Sequence, residues 1–296
     1  MKAGIKIVGY ILGAIAAASY GLNPSFALPL YAAGVNPDSV LTLRYGIAII
    51  MVGAMMLIKG ESFRIPRKSI LPLLCLGLLM SLSSFTLFES YNYMAAGIAS
   101  TMLFVYPIMV AVIMAAVYHE RLSLLTVLCI MVATGGIALL YNSEEGTTLS
   151  FVGTLFVMAS ALSYAIYLVA VGRKAFQGIP TLTLTFYELL FGSLLFAGRF
   201  VSGAYTFTPP TTPILWACAA ALALFPTVIS FFCTARAINL VGSTPTAILG
   251  ALEPVTAVVM GILFFGETVS VRELIGIIMI LAAVSLVIAA GAKNRS

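Results

Sequence analysis

"GALEPVTAVVMGILFFGE", residues 250–267, sets a glutamate and a proline inside an otherwise apolar run. A charged side chain at the centre of a bilayer costs roughly 2.5–3.5 kcal/mol on insertion scales, so it persists where it has a role. The same outline recurs earlier as "LFVYPIMVAVIMAAVYHE", residues 103–120, with Tyr106 standing where Glu253 stands. Pro107 and Pro254 are 147 positions apart, and so are Glu120 and Glu267. Holding that offset pairs Asn92 with Asn239, Ala111 with Val258 and Gly135 with Ala282, while Tyr20 pairs with Tyr164 at a slightly different one. The chain repeats itself.

The composition says where such a repeat lives. Of 296 residues, 61% are hydrophobic and 8% charged, against about 25% charged in a soluble domain. Apolar runs of about 20 residues recur along the whole length, each enough to cross a ~30 Å hydrocarbon layer as a helix. Alternating ten-residue segments of the β-barrel kind are absent. The formal charge of +5 comes from short basic loops between the runs, the pattern of membrane orientation, and gives no reason to expect nucleic acid. Cys75, Cys129, Cys218 and Cys233 all fall in apolar runs without CxxC spacing and read as core residues.

Breaks at polar and turn-rich points predict ten membrane helices, at 6–32, 39–58, 69–90, 96–117, 123–141, 149–172, 182–202, 213–235, 243–265 and 270–290. The first resembles a signal peptide in its "AIAAAS", but its apolar character continues to Ala32, so it is read as a retained span. With a cytoplasmic N-terminus, the inner loops carry all the lysines and arginines except Arg44, Arg199 and Arg272. Both termini are therefore expected in the cytoplasm. Two halves, 1–145 and 146–296, each hold five spans. Five is odd, so the second half enters from the opposite side, an inverted repeat with a site near the bilayer midplane.

A ten-helix chain with Pro-x12-Glu in spans four and nine, "VATGGIALLY" in span five and "LTLRYG" early on resembles the EamA family of the drug/metabolite transporter superfamily. The resemblance covers essentially the whole chain. It implies an all-α 5+5 inverted fold, a central cavity formed mainly by spans one, three, four, six, eight and nine, and small organic metabolites as cargo, with amino-acid export prominent.

The candidate residues each carry two readings. Glu253 is a substrate contact, proton site or gate, or else a packed carboxyl. Pro254 frees the Gly250 carbonyl for a polar solute, or simply kinks its helix. Tyr106, before Pro107, offers an aromatic wall or plain packing. Arg44 and Glu188 sit about five residues into spans two and seven, near opposite faces and too far apart to pair directly. Both are read as gating or structural, with snorkelling to the surface as the alternative for Arg44. Asn23, Pro24 and Pro29 interrupt span one, and an interrupted helix is tolerated only where it is buried or lines a cavity. Tyr20 and Tyr164 lie too deep for an interfacial belt. Pro226 bends span eight; Glu89 and Arg236 read as anchors; His119 reads as solvated, and Glu120 and Glu267 as helix-end markers.

A P-loop, a metal-ligand cluster and a nucleophile with an interior histidine are all missing from the sequence, so neither cofactor nor metal is expected. The reading is a secondary transporter of the plasma membrane, exporting an amino acid or related compound by alternating access. Glu253, Tyr106, Tyr20, Asn23 and Tyr164 form the substrate wall, and Glu253 is the candidate for a coupling proton. Partners are the small solute and the lipid bilayer, with a homo-oligomer left open. Alternatives are an importer, an exporter of drug-like cations or nucleotide sugars, or a membrane-embedded enzyme.

Overall fold

A computed structural model describes residues 2–94, 99, 102–119, 123–140, 150–176, 178–265 and 271–293. Among them every regular element is helical. We number these α1 (Lys2–Tyr20), α2 (Asn23–Ala32), α3 (Pro37–Lys59), α4 (Arg67–Ser90), α5 (Tyr106–Tyr118), α6 (Leu124–Leu140) and α7 (Phe151–Val171). They continue as α8 (Thr181–Val201), α9 (Pro213–Ala223), α10 (Ser230–Val241), α11 (Ser243–Leu249), α12 (Leu252–Phe265) and α13 (Val271–Lys293). Six segments, Ile5–Ala32, Pro37–Lys59, Arg67–Ser90, Phe151–Val171, Thr181–Val201 and Pro213–Val241, are long and apolar enough to cross a membrane. Glu120, Glu267 and the expected boundary at residues 145–146 lie outside the described residues.

The bundle turns its apolar side chains outward: Leu57, Ile58, Leu124, Phe151 and Val201 are exposed on helix flanks and ends. Its interior holds an unusual share of polar groups, among them Ser81, Ser83, Ser84, Ser160, Thr185 and Thr227. Hydrocarbon offers these groups no hydrogen bonds, so they face one another or the backbone. Ser83 and Ser160 bond across α4 and α7 at 3.1 Å, and Ser160 also donates to the Ser83 carbonyl. Tyr45 and Ser84 meet at 3.1 Å between α3 and α4.

Local sequence explains where the helices begin. Asn36 accepts a bond from the Ser39 amide at 2.8 Å, with Pro37 following at the first helical position and Gly60 closing α3 at φ +64°. Thr212 caps α9 in the same way before Pro213.

Contacts between the two halves come in matched pairs. α1 with α2 packs on α10 and α9, as α7 packs on α4; α4 lies against α8, as α9 lies against α3. α5 meets α7, as α12 meets α1, while α3 with α8 and α6 with α13 pair with their own counterparts. Glycines set the closest crossings. A Cβ on Gly77 would lie 2.6 Å from the Glu188 carbonyl oxygen, and one on Gly136 would lie 2.7 Å from that of Gly276.

Gly77→Ala is therefore expected to lower the thermal midpoint of the purified protein, with an overpacking cost of about 1–3 kcal/mol. Gly46→Ala, whose Cβ meets nothing within 4 Å, should leave it unchanged or raise it. Equal midpoints for the two variants would contradict this account of the α4–α8 crossing.

Candidate functional site

Three interruptions converge at the centre. The first span breaks at Gly21–Leu22, between α1 and α2, and Pro24 occupies the opening turn of the new segment. Another break, at Gly250–Ala251, separates α11 from α12, just before Glu253. A turn at Phe104–Val105 precedes α5 and Tyr106, 146 positions before the Gly250–Ala251 break, so the repeat extends to the break within one residue. Broken helices face each other closely: a side chain on Gly21 would collide with the Glu253 carbonyl oxygen, and one on Gly250 with the Tyr106 hydroxyl. Pro254 does remove a donor, but the Gly250 carbonyl is not left for a solute. It accepts the Glu253 amide at 2.8 Å, which tightens the turn.

Repeat counterparts meet where the breaks meet. The Tyr106 hydroxyl donates to Glu253 Oε1 at 3.3 Å across 147 residues. Tyr20 and Tyr164 stack with ring centroids 6.0 Å apart and planes 9° off parallel. Tyr164 also meets Tyr106 edge-on at 4.8 Å and stacks on Tyr167 at 5.9 Å. All four rings are at least nine-tenths buried.

Glu253 lines two small cavities. One, of about 30 Å³, is bounded by Tyr20, Asn23, Pro24, Tyr91 and Leu103. The other, of about 10 Å³, is bounded by Gly13, Ala17, Leu168, Thr246 and Gly250. Their linings come from different stretches of the first span, Tyr20 to Pro24 at the α1 break for the first and Gly13 to Ala17 before it for the second. Glu253 and the tyrosines thus stand as a partition between two chambers, each with room for about one water molecule. Asn23 is buried, and neither its amide nitrogen nor its oxygen has a hydrogen-bond partner.

Arg44 and Glu188 both reach this cluster, from α3 and α8, which start at Pro37 and Thr181. Each residue is seven positions from its helix start, roughly 10 Å deep at 1.5 Å per residue. Arg44 does not snorkel; it is fully buried. Its Nε donates to Thr227 Oγ1 at 2.6 Å and its Nη2 to the Pro226 carbonyl at 3.0 Å. That carbonyl is offered by a π-turn over Leu224–Ile229, where Pro226 cannot continue the regular bonding and Thr227 caps the Leu222 carbonyl at 2.9 Å. Tyr20, Phe88 and Phe231 surround the guanidinium with centroids 5.5–5.8 Å from its carbon. Glu188 is equally buried, and neither carboxylate oxygen closes a hydrogen bond; its polar neighbour is the Tyr167 hydroxyl, also unbonded. The two residues form no salt bridge with each other, although both stand in the one cluster and not near opposite faces.

The structure thus gathers Glu253, Tyr106, Tyr20, Asn23, Tyr164, Arg44 and Glu188, with Pro107 and Pro254 beside the breaks, into one connected cluster. Sequence reading missed Phe88 and Phe231 around Arg44 and the two breaks at Gly250 and Val105. Gly250, two residues before Leu252-Glu253-Pro254, was the available signal for one of them. It also missed the bidentate pair of Arg199 with Asp38, at 2.7 and 3.0 Å, the single salt bridge among the described residues.

Comparison with known proteins agrees with this architecture. The family model of the EamA-like transporter family matches residues 7–142 and again 151–289. The chain belongs to that family. An uncharacterized transporter of Archaeoglobus fulgidus is 28% identical over 212 residues, 70% of this chain and 74% of its own. The uncharacterized transporter YdfC of Bacillus subtilis is 27% identical over 187 residues, 62% of this chain and 59% of its own. A crystal structure at 20% identity superposes with a TM-score of 0.80 over 97% of this chain and 99% of that one, a likeness of fold. This EamA-family chain is a multi-pass membrane protein.

Arg44→Ala should destabilise the purified protein by about 1.5–3 kcal/mol for each charge-assisted bond lost. Arg44→Lys should recover only part, because a lysine lacks the planar fork that serves Thr227 and Pro226 together. Thermal unfolding in detergent reads both; a lysine variant as stable as the parent would rule out the fork.

Proposed function

We propose that this EamA-family protein is a secondary transporter of the plasma membrane that exports an amino acid or a related compound by alternating access. In this reading ten spans form two inverted five-helix repeats, residues 1–145 and 146–296, with both termini cytoplasmic. The observation that carries it is Glu253 bonded to its repeat counterpart Tyr106 at a partition between two cavities. A residue lining a chamber on each side of a partition is where alternating access requires the solute and any coupling ion to bind.

The chemistry fits an amphipathic zwitterion. A carboxylate beside the faces of Tyr20, Tyr106 and Tyr164 suits an ammonium group. The unbonded Asn23 amide, on the wall of the larger chamber, supplies a donor for a carboxylate and an acceptor for an amine. Both chambers are far smaller than an amino acid, so binding requires the segments around one break to move apart. Arg44 with Pro226, and Glu188 with Tyr167, then act as the fixed supports on either side, and Pro107 and Pro254 mark the points of movement.

The test is efflux from proteoliposomes loaded with mixed amino acids, with and without a pH gradient. Saturable efflux that responds to the gradient is expected for the parent chain, and Glu253→Gln should abolish both. Efflux with intact pH dependence in that variant would remove Glu253 from the mechanism. Tyr106→Phe should slow efflux by about three- to tenfold, the worth of one hydrogen bond, and keep the gradient response.

A further inference from the structure

Arg44 and Glu188 occupy the same place in the two repeats, seven residues into α3 and α8. Their surroundings differ. An arginine cannot shed its charge, and Arg44 has a hydroxyl and a carbonyl to bond. Glu188 is 0% exposed, and neither of its carboxyl oxygens has a hydrogen-bond partner. An ionised carboxylate only accepts hydrogen bonds, and burying it without donors or a counterion is costly, most of all in a membrane. Unlike a guanidinium, a carboxyl group has a neutral form to fall back on.

The neighbours of Glu188 do not meet the needs of a charge. α8 packs on α4, α3 and α10. From α4, Gly77 lies against the Glu188 carbonyl, and Ser81, beside Gly192, donates its hydroxyl to the Leu78 carbonyl at 3.1 Å. The ionisable groups of α4 stand at its ends, Arg67, Lys68 and Glu89, or on its exposed flank, Cys75. From α3, Tyr45 shares its hydroxyl with Ser84, and Arg44 is turned to Pro226 and Thr227. α10 carries the buried Cys233 and the exposed Arg236. On α8 itself, Thr185 donates to the Thr181 carbonyl at 3.0 Å. No salt bridge reaches Glu188 among the described residues.

α7 supplies the remaining side. The Tyr167 hydroxyl, buried and likewise unbonded, is the polar neighbour of Glu188. Its ring stacks on Tyr164 with centroids 5.9 Å apart, and Tyr164 lines the smaller chamber. Glu188 lines neither chamber; the two tyrosines stand between it and the smaller one. A proton, which needs no cavity, suits this place better than a metal ion.

We propose that Glu188 is a second proton-binding site, distinct from Glu253. It holds a proton while both chambers are closed. When the smaller chamber opens and water passes Tyr164 to reach Tyr167, the Glu188 O–H bond breaks and the proton goes to water. The carboxylate left behind takes its hydrogen bonds from that water. The side chain stays in place as a support, and only its proton exchanges. The release step rests on the alternating-access reading; the held proton does not.

Infrared spectroscopy of the detergent-purified chain near neutral pH tests the held proton. The carbonyl band of protonated carboxylic acids should contain a component that Glu188→Gln removes and Glu253→Gln leaves. Glu188→Asp, which keeps the acid, decides the same question should the amide not fold: the component should shift. A band unchanged by either Glu188 variant would show an ionised carboxylate and overturn the site. Loss of the component on adding sodium at fixed pH would overturn the proton as its ligand and give the site to a metal cation. In proteoliposomes, the pH gradient that just balances a solute gradient reads the protons moved per solute, and Glu188→Gln should lower that ratio by one. An unchanged ratio would overturn the release step. A parent chain that moves no solute would overturn the export reading and the release step with it, while the infrared component still decides the held proton.

Discussion

A helix that breaks inside hydrocarbon leaves peptide groups without partners, and no water is there to satisfy them. Each orphaned group costs several kcal/mol, so the broken ends must be enclosed by protein. In this protein that constraint is met by facing the breaks toward one another. The interruption at Gly21–Leu22 packs on the backbone of Glu253, and the one at Gly250–Ala251 packs on Tyr106. Tight turns take up part of the freed backbone, as where the Glu253 amide bonds the Gly250 carbonyl. The matched packing of the two halves around the breaks follows from the need to bury them.

Residues near a two-fold relation between repeats meet their own counterparts. Tyr20 stacks on Tyr164, and Tyr106 bonds Glu253. The first pair keeps like with like and makes a wall. The second sets an acid against a phenol, and this departure from symmetry puts chemistry at the centre. A further departure lies in the helices themselves: span one is broken after Tyr20, whereas α7 runs unbroken past Tyr164. The larger chamber lies beside the broken copy.

Charge at the core is handled by neutral groups. Arg44 has a hydroxyl, a carbonyl and three aromatic faces around it, but no carboxylate within salt-bridge distance among the described residues. Pro226 is the reason this is feasible, since the π-turn it imposes turns a main-chain carbonyl toward the guanidinium. A buried cation held this way ties α3 to the bend between α9 and α10, and leans on the Tyr20 ring that also stacks on Tyr164. The support and the proposed site share a side chain.

How much of this was legible in the sequence depends on the range of the physics involved. Helical character, membrane residence and the internal repeat follow from composition and spacing, because hydrophobic length and the offset of Pro-x12-Glu are properties of the chain alone, and the family was legible as a resemblance carried by those motifs. So does the selection of Tyr20, Asn23, Arg44, Tyr106, Tyr164, Glu188 and Glu253, since polar groups in apolar runs stand out by their cost. Their partners are a different matter. That Arg44 turns inward to Pro226 and Thr227, that Asp38 takes Arg199, and that Gly250 makes room for Tyr106 were decided by the tertiary structure. Each depends on which helices lie side by side and how deep each one starts. Those are set by side-chain packing over 150 residues or more, which local sequence does not encode.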